Sequence, residues 1–99
     1  MKLVRDLTPQ HMQHEAHFEQ LSEADFPRYL RLKLQEEVQE YLTEYSADKL
    51  ADILEVVYAL SELQGIQRDA LESLREVKAR EEGQFKTRLA LTRKEHHHG

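Results

Sequence analysis

Six carboxylates at the centre of the 99-residue chain carry the spacing that metal binding needs. On a helix at about 100° per residue, Glu36, Glu37 and Glu40 share one edge of an apolar stripe, so they flank a core rather than face bulk water. Asp48, Asp52 and Glu55 follow at spacings of four and three, which again places them on one helix face. Helices packed antiparallel across a turn at Tyr45-Ser46 would bring the two ledges together. Four or five carboxylates that close repel by several kcal/mol unless a cation sits between them. Ligands made only of oxygen suit Mg²⁺ or Mn²⁺ far better than zinc. Glu55 stands amid Ile53, Leu54, Val56 and Val57, where an unpaired charge is costly to bury. The plainer reading makes these acids solvated helix faces paired with Lys33, Lys49 or Arg31.

The distribution of charge sharpens the expectation. The chain has a net charge of -5, but Gln35 to Glu55 alone holds seven acids and one base. The rest carries thirteen bases against twelve acids, and Lys78 to Lys94 has six bases against two acids. An acidic centre with basic flanks can hold a metal ion and a phosphate together, whereas a uniformly acidic chain would merely repel nucleic acid. Lys2, Arg5, Lys78 and Arg88, with Arg80 and Lys86, are candidate phosphate donors, arginine through its two-pronged guanidinium.

Positioning these groups falls to helices. The chain has three glycines, two prolines and fifteen leucines, and most of it consists of helix-forming residues. A short helix is expected over Gln10 to Gln20, its histidines facing outward. Ser22 caps the expected start of the next helix, with Asp25 three residues later and Pro27 in the first turn. Leu30, Leu34, Val38, Tyr41 and Tyr45 form its buried stripe. Ser46 caps a further helix, Ala47 to Leu63, which is apolar almost all round and stops at Gly65. A helix from Arg68 to Glu82 turns Leu71, Leu74 and Val77 inward. Phe85 to Leu91 reads as extended and able to pair with Lys2 to Leu7. A helix as apolar as Ala47 to Leu63 needs cover on several sides, so the expected fold is an all-α antiparallel helical bundle completed by oligomerisation, as a homodimer or homotetramer.

Length and composition bound the rest. A chain of 11.7 kDa makes one domain, read here as residues 1–95, with 96–99 an appended tail. With no cysteine, disulfide scaffolds, thiolate zinc sites and cysteine catalysis are excluded. No apolar run reaches membrane-spanning length and no signal-peptide core is seen, so a cytoplasmic protein without membrane or nucleic-acid partners is expected. Neither GxxxxGK[ST] nor GxGxxG occurs, which excludes those phosphate loops. His11, His14 and His17 drift around a helix and read as surface residues. Tyr29, Tyr41, Tyr45 and Tyr58 are candidates for stacking on a base, although aromatics at helical spacing are more often core.

Glu36-Glu37-Val38-Gln39-Glu40, followed by Leu50-Ala51-Asp52-Ile53-Leu54-Glu55-Val56, resembles the EExxE and ExxD signature of the MazG-like, all-α nucleoside triphosphate pyrophosphohydrolases. Lys2-Leu3-Val4-Arg5-Asp6 and the closing Lys78, Glu81, Gly83 and Phe85 are similar to the phosphoribosyl-ATP pyrophosphohydrolase-like branch. The resemblance implies Mg²⁺-dependent cleavage between the α and β phosphates of a nucleoside triphosphate, or of phosphoribosyl-ATP, as a house-cleaning or biosynthetic step. It implies metal ligation by Glu36, Glu37, Glu40 and Asp52, with Glu37 or Glu40 as the base for the attacking water, and Asp48 or Glu55 is the candidate substitute for the ligand missing at Lys49. Lys49 stands where the first acid of ExxD is usual. Leu7 replaces a common lysine, and Glu81-Glu82-Gly83-Gln84 lacks a usual arginine and second glycine. Lys49 favours the alternative of a catalytically idle module that senses nucleotides or binds protein. A plain structural bundle is the third reading.

Overall fold

The computed structural model describes residues 1–12, 14 and 16–95. Four helices follow one another: α1 (Thr8–His11), α2 (Phe26–Glu44), α3 (Ala47–Leu63) and α4 (Arg68–Glu82), with no strand among the described residues. The all-α class is as expected. α2 and α3 form a helical hairpin across the Tyr45-Ser46 turn, and α4 packs more lightly on α3.

Local chemistry fixes the hairpin's ends. Pro27 sits in the first turn of α2, where a missing N–H costs nothing. The helix therefore begins at Phe26 rather than next to Ser22, and Ser22 instead closes the preceding turn by accepting from the Asp25 backbone N–H at 3.2 Å. Tyr45 ends α2 in the left-handed region at φ 54°, its N–H donating to the Tyr41 carbonyl at 2.8 Å. Its ring meets that of Tyr41 edge to face at 5.8 Å. Ser46 Oγ then accepts from the Lys49 backbone N–H at 3.3 Å, capping α3 as its sequence indicates. At the far end Gly65 takes φ 74°, the Gly65 N–H reaches the Glu62 carbonyl and the Ile66 N–H reaches that of Ser61, both at 2.9 Å. This is a Schellman ending.

Two expected elements differ. In place of a helix over Gln10 to Gln20 there is the four-residue α1, and Ala16 to Gln20 are not helical. Pro9 favours a helical start at Thr8, while the residues beyond lack an apolar face whose burial would sustain further turns. Phe85 to Leu91 does not pair with Lys2 to Leu7. Residues 85–91 are irregular and exposed, and the N-terminal segment lies instead along the α2–α3 hairpin through ion pairs. The tail at 96–99 lies outside the described residues.

The buried apolar set comprises only Leu30 and Val56 among the described residues. Along the α2 stripe Leu34 and Tyr41 are half-buried, but Val38 and Tyr45 are exposed. On α4 Leu71 is half-buried, whereas Leu74 and Val77 point to solvent rather than inward. α3 leaves Leu50 and Leu54 about half exposed, at 50% and 48%. The radius of gyration is 18.5 Å, against about 13 Å for a compact chain of this length. The irregular residues 83–95 contribute to that extension. No described helix is long and apolar enough to cross a membrane.

Candidate functional site

Glu36, Glu37 and Glu40 project from one side of α2, each offering a carboxylate oxygen within 4.8 Å of the others. Glu37 is the innermost, at 6% exposure, and its Oε2 has no hydrogen-bond partner. Asp52 on α3 stands across Lys49 from them, because the tight turn brings that helix back along α2. Lys49 ties the two ledges together: its Nζ lies 2.6 Å from Glu40 Oε2, 3.9 Å from Glu37 Oε2 and 3.8 Å from Asp52 Oδ2. Lys33, one turn before Glu37, reaches Glu36 at 3.4 Å and Glu37 at 3.2 Å. From the N-terminal segment, Lys2 Nζ approaches Glu36 Oε1 to 2.9 Å and Arg5 donates to Asp52 Oδ1 at 2.6 Å.

Four carboxylates thus face four basic side chains. The hydrogen bond from Lys49 holds the Glu40 carboxyl below the usual carboxylate range, and Glu40 in turn raises Lys49 above the usual lysine value. At Glu36 partial burial pushes the carboxyl up, but the hydrogen bond from Lys2 and the charge of Lys33 outweigh it and the net shift is downward. Lys2 is raised by its hydrogen bond to Glu36. The pairing with Lys33 and Lys49 named in the plainer reading is present, together with Lys2 and Arg5. The chain supplies its own counter-charges.

Beside the cluster runs an open groove of about 730 Å³ between the N-terminal segment, α2 and α3. Leu3, Val4, Phe26, Leu30 and Val56 give it an apolar floor, while Glu37, Asp52, Lys33 and Arg5 stand on its polar side. Asp6, Glu55 and Glu62 line it as well, so the groove combines an apolar side with an acidic one.

The structure brings together Glu36, Glu37, Glu40, Asp52, Lys2 and Arg5 from the sequence-derived set. Glu55 is not buried among its apolar neighbours. Its side chain is 53% exposed and lies 3.8 Å from Arg68, whose guanidinium stacks on Tyr58 at 4.1 Å. The helix turns Glu55 outward, so its burial cost never arises, although it still lines the groove beyond Asp52. Lys78 pairs with Glu82 one turn along α4 at 3.4 Å. Arg88 lines a separate hollow formed by residues 82–89. Neither Lys78 nor Arg88 lines the groove. Sequence reasoning missed the apolar floor made by Leu3, Val4 and Phe26. The adjacent apolar pair between Lys2 and Arg5 was its available signal.

Comparison with protein-family models, with curated proteins and with solved structures gives no match.

Proposed function

We propose that this chain is a divalent-metal-dependent nucleotide pyrophosphohydrolase that cleaves between the α and β phosphates, working as a homodimer or homotetramer. The observation that carries the reading is the carboxylate group of α2, with Glu37 buried and its Oε2 without a hydrogen bond, facing Asp52 across Lys49 at the edge of a groove with an apolar side. The donor set fits Mg²⁺ or Mn²⁺, being all oxygen. Glu36, Glu37, Glu40 and Asp52 would hold the ion. When bound, it would neutralise phosphate charge and acidify a water molecule. Glu37 or Glu40 accepts the proton of the attacking water, and Lys2 and Arg5 hold phosphate oxygens. The apolar floor receives the base or sugar, in keeping with the resemblance to the MazG-like and phosphoribosyl-ATP pyrophosphohydrolase-like enzymes. Oligomerisation covers the open faces of α3 and α4 and completes the bundle.

Pyrophosphate release from a panel of nucleoside triphosphates and phosphoribosyl-ATP, with and without Mg²⁺, tests this. Release that requires the metal is the expected outcome, and no release from any nucleotide would refute it.

A second reading, an idle module of the same architecture that senses nucleotides or binds protein, draws support from the ion pairs of Lys49, which neutralise the cluster without metal. It predicts nucleotide binding unaffected by Mg²⁺ and no turnover.

A further inference from the structure

The four bases around the carboxylates fall into two kinds. Lys33 and Lys49 belong to the helices and are largely covered, with side-chain exposures of 16% and 22%. Lys2 and Arg5 come from the irregular N-terminal segment and are 62% and 57% exposed. Against Glu36, Glu37, Glu40 and Asp52, the two helical lysines leave two negative charges uncompensated, the amount that one divalent cation cancels. Lys2 and Arg5 cancel those two charges from outside, through Glu36 Oε1 and Asp52 Oδ1. Glu37, buried and lining the groove, keeps one oxygen without a hydrogen-bond partner. The Lys49 ammonium lies 3.9 Å from that oxygen, too far to hydrogen-bond it, so the oxygen is desolvated with only a long-range counter-charge.

We propose that Lys2 and Arg5 are exchangeable counter-ions, which one divalent cation displaces from Glu36 and Asp52 when it arrives together with a polyphosphate whose oxygens the two bases then take. The exchange rests on the metal-dependent nucleotide reading above and specifies how that site loads. Exposed ion pairs are weak, so breaking these two costs little, provided each base finds a new anion. A cation arriving alone meets a cluster with no net charge and leaves two bases unpaired. A cation arriving with polyphosphate satisfies both, since the Arg5 guanidinium matches two phosphate oxygens at once. Metal and polyphosphate therefore bind cooperatively, and each raises the affinity for the other by the same factor. Lys33 and Lys49 still balance two of the four carboxylate charges, so the charge left by Lys2 and Arg5 is that of one ion.

Titration calorimetry with Mg²⁺ alone, inorganic tripolyphosphate alone and the two together tests the exchange. The full chain is compared with the double variant Lys2→Gln, Arg5→Gln, its helicity checked by circular dichroism. The intact chain should bind Mg²⁺ alone weakly and about tenfold or more tightly once tripolyphosphate is present. The double variant should bind Mg²⁺ alone more tightly than the intact chain, at one ion per chain, and lose the enhancement by tripolyphosphate. Arg5→Lys, which keeps the charge, should retain part of the enhancement. Equal Mg²⁺ affinity in the intact chain and the double variant, or no mutual enhancement in the intact chain, overturns the exchange. If turnover is still observed, the enzymatic reading survives that result. Cooperative binding without pyrophosphate release keeps the exchange and removes the enzyme.

Discussion

Lys49 Nζ lies 2.6 Å from Glu40 Oε2, and this contact joins the last turns of α2 to the first turn of α3. The same ammonium stands within 4 Å of carboxylates on both helices, Glu37 and Asp52. It occupies the place between the two acidic ledges where repulsion would otherwise be greatest. Where the resembled signature has an acid, this chain has the counter-charge that such an acid would increase the need for.

Replacing that ammonium by a neutral side chain should make the fold depend on added metal. Lys49→Gln leaves Glu37, Glu40 and Asp52 facing one another without their shared partner. Its thermal midpoint in metal-free buffer should fall, and Mg²⁺ should raise it by more than it raises that of the unaltered protein. Identical responses to Mg²⁺ in the two proteins would make Lys49 an ordinary surface lysine.

The pH dependence of stability follows from the same contacts. Glu36 and Glu40 are held below their ordinary value of 4.5 in the folded chain. Their contribution is complete above that value and disappears as pH falls through the lowered folded values. Lys2 and Lys49 are held above their ordinary 10.5. Their contribution is complete below 10.5 and disappears as pH rises through the raised folded values. Denaturation midpoints measured across pH should therefore form a plateau between these limits with an acid fall below it. In Lys49→Gln the acid fall should be shallower, and an unchanged profile would contradict the Glu40 pairing.

Much of this architecture was legible in the residues themselves. The Ser46 cap, the Gly65 stop and the limits of α3 and α4 follow from local chemistry, which acts within a turn of the chain. The grouping of Glu36, Glu37 and Glu40 was also legible from helical spacing, and the two-residue turn that sets Asp52 across Lys49 from them leaves few alternatives for the second helix. The partners of Lys2 and Arg5 were not. Their contacts span more than thirty residues of sequence, and a basic residue gives no sign of whether it will meet a carboxylate or a phosphate. Glu55 misled because helical rotation, not the identity of adjacent residues, decides exposure.

At the carboxylates themselves, Glu37→Gln and Asp52→Asn keep shape and remove charge. Each should lower kcat by about a hundredfold or more, the scale of lost general base or metal ligation, while helicity stays unchanged. Steady-state pyrophosphate release with circular dichroism makes the check. Rates within a factor of about two of the unaltered chain would place both residues outside the reacting centre.

Gly65 isolates a purely conformational contribution. Its φ of 74° lies in the left-handed region, yet a Cβ there would meet nothing within 4 Å. Gly65→Ala should thus cost only backbone strain, about 1 kcal/mol. Chemical denaturation at fixed protein concentration measures it, and a loss much above about 2 kcal/mol would mean that the α3–α4 turn is packed against something the isolated chain does not contain.

The open face of α3 predicts the assembly state. Leu50 and Leu54 lie one turn apart on the same side, each about half exposed. Completing their burial would contribute about 1 kcal/mol apiece, repeated in every subunit that shares the interface. Light scattering should therefore give at least twice the chain mass of 11.7 kDa, with a thermal midpoint that rises with protein concentration. Leu50→Glu with Leu54→Glu sets like charges against each other across a symmetric contact, so the assembly should dissociate and the concentration dependence should vanish. An unaltered chain that scatters as a monomer at every concentration would overturn the assembly and leave Leu50 and Leu54 as ordinary exposed side chains.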